Sequence, residues 1–104
     1  MGAIFDRIAI IGVGLIGASI ARAARETGAA NSIALYDSSP TARARLRELA
    51  IGDGFDDAPT AAANADLVIL AVPVGAMGAA MEAVAPALKQ GAVVTDARLI
   101  SSRR

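Results

Sequence analysis

Gly12-Val13-Gly14-Leu15-Ile16-Gly17 constrains this chain more than any other stretch. It follows the uncharged run Ile8-Ala9-Ile10-Ile11 and leads into alanine-rich sequence with helical spacing. Glycines at that spacing are a weak signal alone. Placed between a buried strand and a helix, they describe one local structure. Gly12 permits a tight turn, Gly14 leaves the backbone bare, and Gly17 allows a helix to pack close to a strand. The N–H groups of Leu15, Ile16 and Gly17 then project from the start of the helix, where the macrodipole also favours an anion.

The rest of the chain supplies the context. Residues 4–11 read as a strand, apolar on both faces over residues 8–11, as a covered parallel strand requires. Residues 15–27 read as a helix with Ile16, Ile20 and Ala24 on one face and Arg22, Arg25 and Glu26 on the other. Gly28 closes it as a left-handed cap. Residues 32–36 form a second short strand. Ser39 and Pro40 supply an N-cap and a first helical position for a helix reaching about Ala50. Gly52-Asp53-Gly54-Phe55-Asp56-Asp57 is a loop with room for a very short strand around Phe55, and a short helix near residues 59–64 follows. Residues 66–72 are the clearest later strand, closed by Pro73. Residues 76–88 read as a helix with Met77, Met81, Val84 and Leu88 facing the core, and residues 92–95 as the last strand. Strand and helix alternate, so right-handed crossovers give an α/β doubly wound parallel sheet in spatial order 3-2-1-4-5. Helices cover both faces, which is a Rossmann-type fold.

In such a sheet Asp37, with Ser38 beside it, ends the second strand twenty positions after Gly17. A carboxylate there accepts hydrogen bonds from the adenosine ribose hydroxyls of a dinucleotide, and a 2′-phosphate would meet its negative charge, which favours NAD. Ser39 fills the capping role and leaves Asp37 available. Arg43 lies a turn inside the next helix, within reach of a phosphate or of adenine, and keeps NADP as the alternative cofactor. Val72-Pro73-Val74-Gly75 follows the carboxyl end of the fourth strand, near the switch point where ligands of open α/β sheets sit. Asp53, Asp56 and Asp57 lack the spacing of a calcium loop, so no metal is expected.

Composition narrows the remaining classes. A length of 104 residues suits one domain. Ten basic and ten acidic residues leave no net charge, and no basic stripe argues for nucleic acid. The absence of cysteine excludes disulfides, thiolate zinc sites and thiol nucleophiles. The absence of histidine removes the commonest general base. Residues 8–21 follow Arg7 and carry no charge, but three internal glycines make a poor signal-peptide core. Asp6 stands where N-myristoylation needs Ser or Thr. No uncharged stretch is long enough to span a bilayer without a Pro or Gly break. A soluble cytoplasmic protein is expected.

Four segments together resemble the amino-terminal half of the prephenate/arogenate (cyclohexadienyl) dehydrogenase family. They are the run from Ile8 through Gly17 to Ala18-Ser19, then Leu35-Tyr36-Asp37, the run Ala65-Asp66 through Val72-Pro73-Val74-Gly75-Ala76-Met77, and Gly91-Ala92-Val93-Val94-Thr95-Asp96. The resemblance covers residues 4–96. It implies NAD(P)-dependent oxidative decarboxylation of prephenate or arogenate on the route to tyrosine. It matches Gly12, Gly14 and Gly17 to the pyrophosphate turn, Asp37 to the ribose acid and Val72-Pro73-Val74 to the loop beside the cofactor, and it puts Thr95-Asp96 near the nicotinamide. It also implies a second, mostly helical domain that supplies dimer contacts and much of the substrate site.

After Asp96 the chain departs from that pattern. The family continues with a Gly-Ser-Val-Lys-like segment, whereas residues 97–104 read Ala-Arg-Leu-Ile-Ser-Ser-Arg-Arg. The family's catalytic histidine and substrate-binding arginine have no counterpart, and no catalytic role passes to Ser101 or Ser102. The expectation is one nucleotide-binding domain over residues 1–104, cut after the fifth strand by a truncation or frameshift near codon 96. Such a chain binds a dinucleotide, does not catalyse alone, and self-associates through surfaces left uncovered. The alternatives are the NAD(P)-binding domain of a hydroxyacid or pyrroline-carboxylate reductase, and an inactive nucleotide-binding fragment.

Overall fold

Runs that are apolar on both sides need cover on both faces, and the computed structural model, which describes residues 2–98, provides it. Five strands form one parallel sheet: β1 (Phe5–Ile11), β2 (Ala30–Tyr36), β3 (Asp53–Gly54), β4 (Leu67–Leu70) and β5 (Val93–Asp96). Their order is β3-β2-β1-β4-β5, the expected one. Register sets Ile10 opposite Leu35 on one side and Ile69 on the other.

Among the elements bounded within the described residues, four α-helices cover the sheet: α1 (Leu15–Thr27), α2 (Pro40–Leu49), α3 (Ala58–Ala62) and α4 (Met77–Val84). Ala21 and Ala24 of α1 and Leu46 of α2 pack with Ile8, Ile10, Ile33, Leu35 and Ile69 on one face. Ala58, Ala61 and Ala62 of α3 and Val84 of α4 pack with Ala9, Ile11, Val68 and Leu70 on the other. Period-two alternation of the strands thus divides the apolar residues between two cores. Among the described residues no charged or polar side chain is buried in either.

The caps follow local chemistry. Gly28 takes the left-handed conformation at φ 71°. The Ser39 hydroxyl accepts the Ala42 N–H at 3.3 Å, ahead of Pro40. Asp57 accepts the Thr60 N–H at 2.8 Å and starts α3, so this loop acid is a helix cap. At the amino ends of the strands, the Asp66 carboxylate accepts the Asp6 and Arg7 N–H groups at 2.7 and 3.1 Å. It also pairs with Lys89, which ties β1 to the segment leading into β5.

Several boundaries differ from the sequence expectation, each for a physical reason. The helix expected over residues 76–88 is α4 flanked by 3-10 turns at Val74–Ala76 and Ala85–Ala87. Pro86 ends the α-helix, because it has no N–H and its ring clashes with the carbonyl four residues back. Met81, expected on the core face, is a surface residue, 38% exposed, while Val84 is fully buried. On α1 the buried face is Gly17, Ala21 and Ala24, and Ile16 points outward. A Cβ at Gly17 would lie 2.7 Å from the Gly12 carbonyl oxygen, so the helix sits too close to the sheet for a branched side chain there. The short strand precedes Phe55, whose N–H continues the ladder to the Leu35 carbonyl at 2.9 Å. Ser101 and Ser102 lie outside the described residues.

Candidate functional site

The turn from β1 into α1 borders a cleft of about 840 Å³ at the carboxyl ends of the strands. Tyr36, Asp37 and Ser38 line it from the end of β2, Val72 and Pro73 from the end of β4, and Asp96, Ala97 and Arg98 from the end of β5. Open parallel sheets place their ligands in this position.

The glycines of the turn do separate work. Gly12 adopts φ +84°, and a Cβ there would lie 2.5 Å from Val72 Cγ1 and 2.9 Å from the Ala71 carbonyl oxygen. Both its conformation and its neighbours exclude a side chain. Gly14 is the opposite case: nothing lies within 4 Å of where its Cβ would stand. It is the N-cap of α1, no side chain caps that helix, and its first turn holds no acid. The partial positive charge of the helix start therefore faces open space.

Asp37 reaches into the same corner and is more committed than the sequence suggests. Its Oδ2 accepts the Val13 N–H at 2.9 Å and its Oδ1 accepts the Ser39 N–H at 2.9 Å. Ser39 caps α2 with its hydroxyl, but its own amide is held by Asp37. The carboxylate is thus not free of partners. It is oriented by them, with each oxygen keeping acceptor capacity, since a carboxylate has about four lone-pair sites.

All but three of the expected site residues line the cleft; the exceptions are Arg43, Val74 and Thr95. Val74 is 65% exposed at the start of the 3-10 turn. Thr95 lies inside β5 opposite Ile69, one residue short of the strand end. Arg43 donates from Nη1 to the main-chain oxygen of Asp37 at 2.8 Å, and its guanidinium carbon lies 5.7 Å from the centre of the Tyr36 ring. Its side chain is 20% exposed and does not line the cleft.

At the far end Asp96 is gripped by Arg98, whose Nε lies 3.1 and 3.0 Å from its two carboxylate oxygens. The Arg98 side chain, followed by the Arg98 N–H, holds the Asp96 carboxyl below the usual carboxylate range. The wall that sequence reasoning missed is α4 and its approach: Ala76, Ala79, Ala80 and Ala83 all line the cleft. The signal was present, because small residues recur there at the i, i+3, i+4, i+7 spacing of one helix face. Tyr36 and Ala58 are further lining residues with no sequence signal of their own.

Among the described residues no group of three or more His, Cys, Asp or Glu side chains can hold a metal ion. No described helix is long and apolar enough to cross a membrane. A second cleft of about 650 Å³ lies at the opposite ends of the strands, beside Arg25, Asn31 and Asp53.

A family model described as prephenate dehydrogenase, nucleotide-binding domain, matches residues 20–101. The chain is 48% identical over 94 residues to a cyclohexadienyl dehydrogenase of Zymomonas mobilis, a match covering 89% of this chain and 32% of that protein. The crystal structure of prephenate dehydrogenase from A. aeolicus, in complex with hydroxyphenyl propionate and NAD+, superposes with a TM-score of 0.78 at 27% identity, covering 88% of this chain and 32% of that one. Synechocystis arogenate dehydrogenase gives a TM-score of 0.78 at 25% identity, with 86% and 32% covered. The chain therefore spans about a third of the length of these relatives, at 32% of each.

Proposed function

The chain belongs to the prephenate dehydrogenase nucleotide-binding-domain family, and we propose that it binds NAD across the carboxyl ends of β1, β2 and β4. The observation that carries this reading is the empty volume over Gly14 at the uncapped start of α1, with the oriented Asp37 carboxylate beside it. A diphosphate fits that volume because main-chain amides and the macrodipole offer it charge without a side chain in the way. The Asp37 oxygens keep lone pairs for ribose hydroxyls and repel a 2′-phosphate. Val72, Pro73 and the alanines Ala79, Ala80 and Ala83 of α4 supply an apolar wall.

Three relatives are a cyclohexadienyl, a prephenate and an arogenate dehydrogenase, which supports the reading that the cofactor bound here serves oxidation of a substrate of that class. A bound nicotinamide ring supplies the hydride acceptor. This chain's own residues hold and orient the cofactor. We assign none of them a catalytic role, because the two carboxylates lining the cleft are already engaged, Asp37 by main-chain amides and Asp96 by Arg98.

Calorimetric titration with NAD and NADP tests the reading. One saturable site with NAD favoured supports it, tight preference for NADP removes the role given to Asp37, and no binding by the folded chain removes the reading.

A further inference from the structure

Arg43 stands behind the cleft, not in it, and its contacts are unusually specific for a residue on the outer part of a helix. Nη1 donates to the main-chain oxygen of Asp37 at 2.8 Å. The guanidinium lies over the Tyr36 ring, 5.7 Å from its centre. Nε is 3.8 Å from Asp56 Oδ1, and Arg47 reaches the same oxygen at 2.8 Å. The Arg43 side chain is only 20% exposed. Tyr36 and Asp37 both line the cleft, so Arg43 touches it through two lining residues while contributing no surface itself.

Asp37 is consequently fixed at three points. The glycine turn holds Oδ2 through the Val13 N–H, the start of α2 holds Oδ1 through the Ser39 N–H, and Arg43 holds the main-chain carbonyl. The two amides set the direction of the carboxylate, and Arg43 sets where the residue that bears it stands. The charge of Arg43 is meanwhile spent on a carbonyl, an aromatic face and the Asp56 carboxylate.

We propose that Arg43 is a positioning residue for Asp37 and, through it, sets the preference for a dinucleotide with a free 2′-hydroxyl over one with a 2′-phosphate. This rests on the cofactor-binding reading above. The planar guanidinium suits the task because its fixed fork of donors reaches the carbonyl from Nη1 while its face lies over the Tyr36 ring, a geometry a compact ammonium does not fix.

The test compares wild type, Arg43→Ala, Arg43→Lys, Asp37→Ala and the Asp37→Ala/Arg43→Ala pair by calorimetric titration with NAD and with NADP, with thermal unfolding of each variant as the folding control. Arg43→Ala is expected to weaken NAD about fivefold, the worth of one hydrogen bond, with a smaller loss for NADP, so that the affinity ratio narrows. Arg43→Lys recovers part of the loss by restoring the donor to the carbonyl. In the Asp37→Ala background Arg43→Ala costs NAD nothing further, because the group it positions is gone. An unchanged NAD-to-NADP ratio, or losses that add, overturns the proposal while leaving the cofactor reading standing. Should Arg43→Ala not fold, Arg43→Met, which keeps the aliphatic stem and removes the donor, decides in its place, and a ratio equal to wild type overturns the proposal. If the folded wild type binds neither dinucleotide, the cofactor reading fails and takes this proposal with it.

Discussion

The Asp37 carboxylate accepts the Val13 N–H at 2.9 Å, so the acid that ends β2 and the glycine turn that follows β1 are one hydrogen-bonded unit. The adenosine and diphosphate positions proposed for the cleft are therefore coupled through a single side chain. On this reading, substitution of Asp37 acts on both, once through lost ribose contacts and once through a turn released from its strut.

Asp37→Ala is expected to weaken NAD roughly 10- to 100-fold, since hydrogen bonds to a charged group are worth about 1.5–3 kcal/mol each. NADP loses much less, because the same change removes the charge that repels its 2′-phosphate. Titration of both cofactors into the variant checks the asymmetry. Equal losses for the two would show that the carboxylate acts on the turn alone.

Gly12 and Gly14 are expected to separate stability from binding. Gly12→Ala puts a Cβ 2.5 Å from Val72 Cγ1 on a residue at φ +84°. It should cost ~2–4 kcal/mol of stability, the range for strain and overpacking at a special backbone position. Gly14→Ala meets nothing within 4 Å, and its φ of -70° suits any residue. Its stability should stay within about 0.5 kcal/mol of wild type, as for an open surface site. Its new methyl group should nonetheless remove most NAD affinity by standing where the diphosphate approaches. Denaturant melts and titrations of the two variants read both effects.

The sequence makes the turn and the sheet order legible because they depend on local and periodic constraints. The uncharged run before Gly12 reads as a strand covered on both sides, and Ser39-Pro40 as a helix start. The site is legible where it is main chain, as at Gly14, and less so where it depends on what a side chain meets. Asp37 is readable as an acid at the end of β2, but its bonds to Val13 and Ser39 join segments apart in sequence. Arg43 is readable as near the cofactor, but its choice of the Asp37 carbonyl and the Tyr36 ring is a tertiary matter. The helix expected over residues 76–88 follows the apolar period, which runs past Pro86, whereas α4 stops at Val84. The outward turn of Ile16 follows from the closeness of Gly17 to the Gly12 carbonyl, which periodicity does not carry.

Asp66 gives the fold a pH dependence of definite sign. Its carboxyl lies below the usual carboxylate range, chiefly through Lys89 and then through the Arg7 N–H. A carboxyl lowered by folding contributes stability that is fully present above the unfolded value of about 3.9 and is lost as the pH falls through the folded value. Asp66→Asn is thus expected to melt below wild type at neutral pH, with the two curves converging in acid. Thermal unfolding across pH checks this, and a gap that persists at the acid end would assign the effect to packing.

The location of the cofactor is tested most directly by following backbone amide resonances of the labelled chain during titration with NAD. The account predicts saturable shifts at Gly14, Leu15, Ile16 and Gly17, at Asp37 and Ser38, and at Val72. It predicts none at Arg25, Asn31 and Asp53, which border the opposite cleft. Shifts confined to the opposite cleft, or a folded chain whose glycine-turn amides do not move, would contradict it.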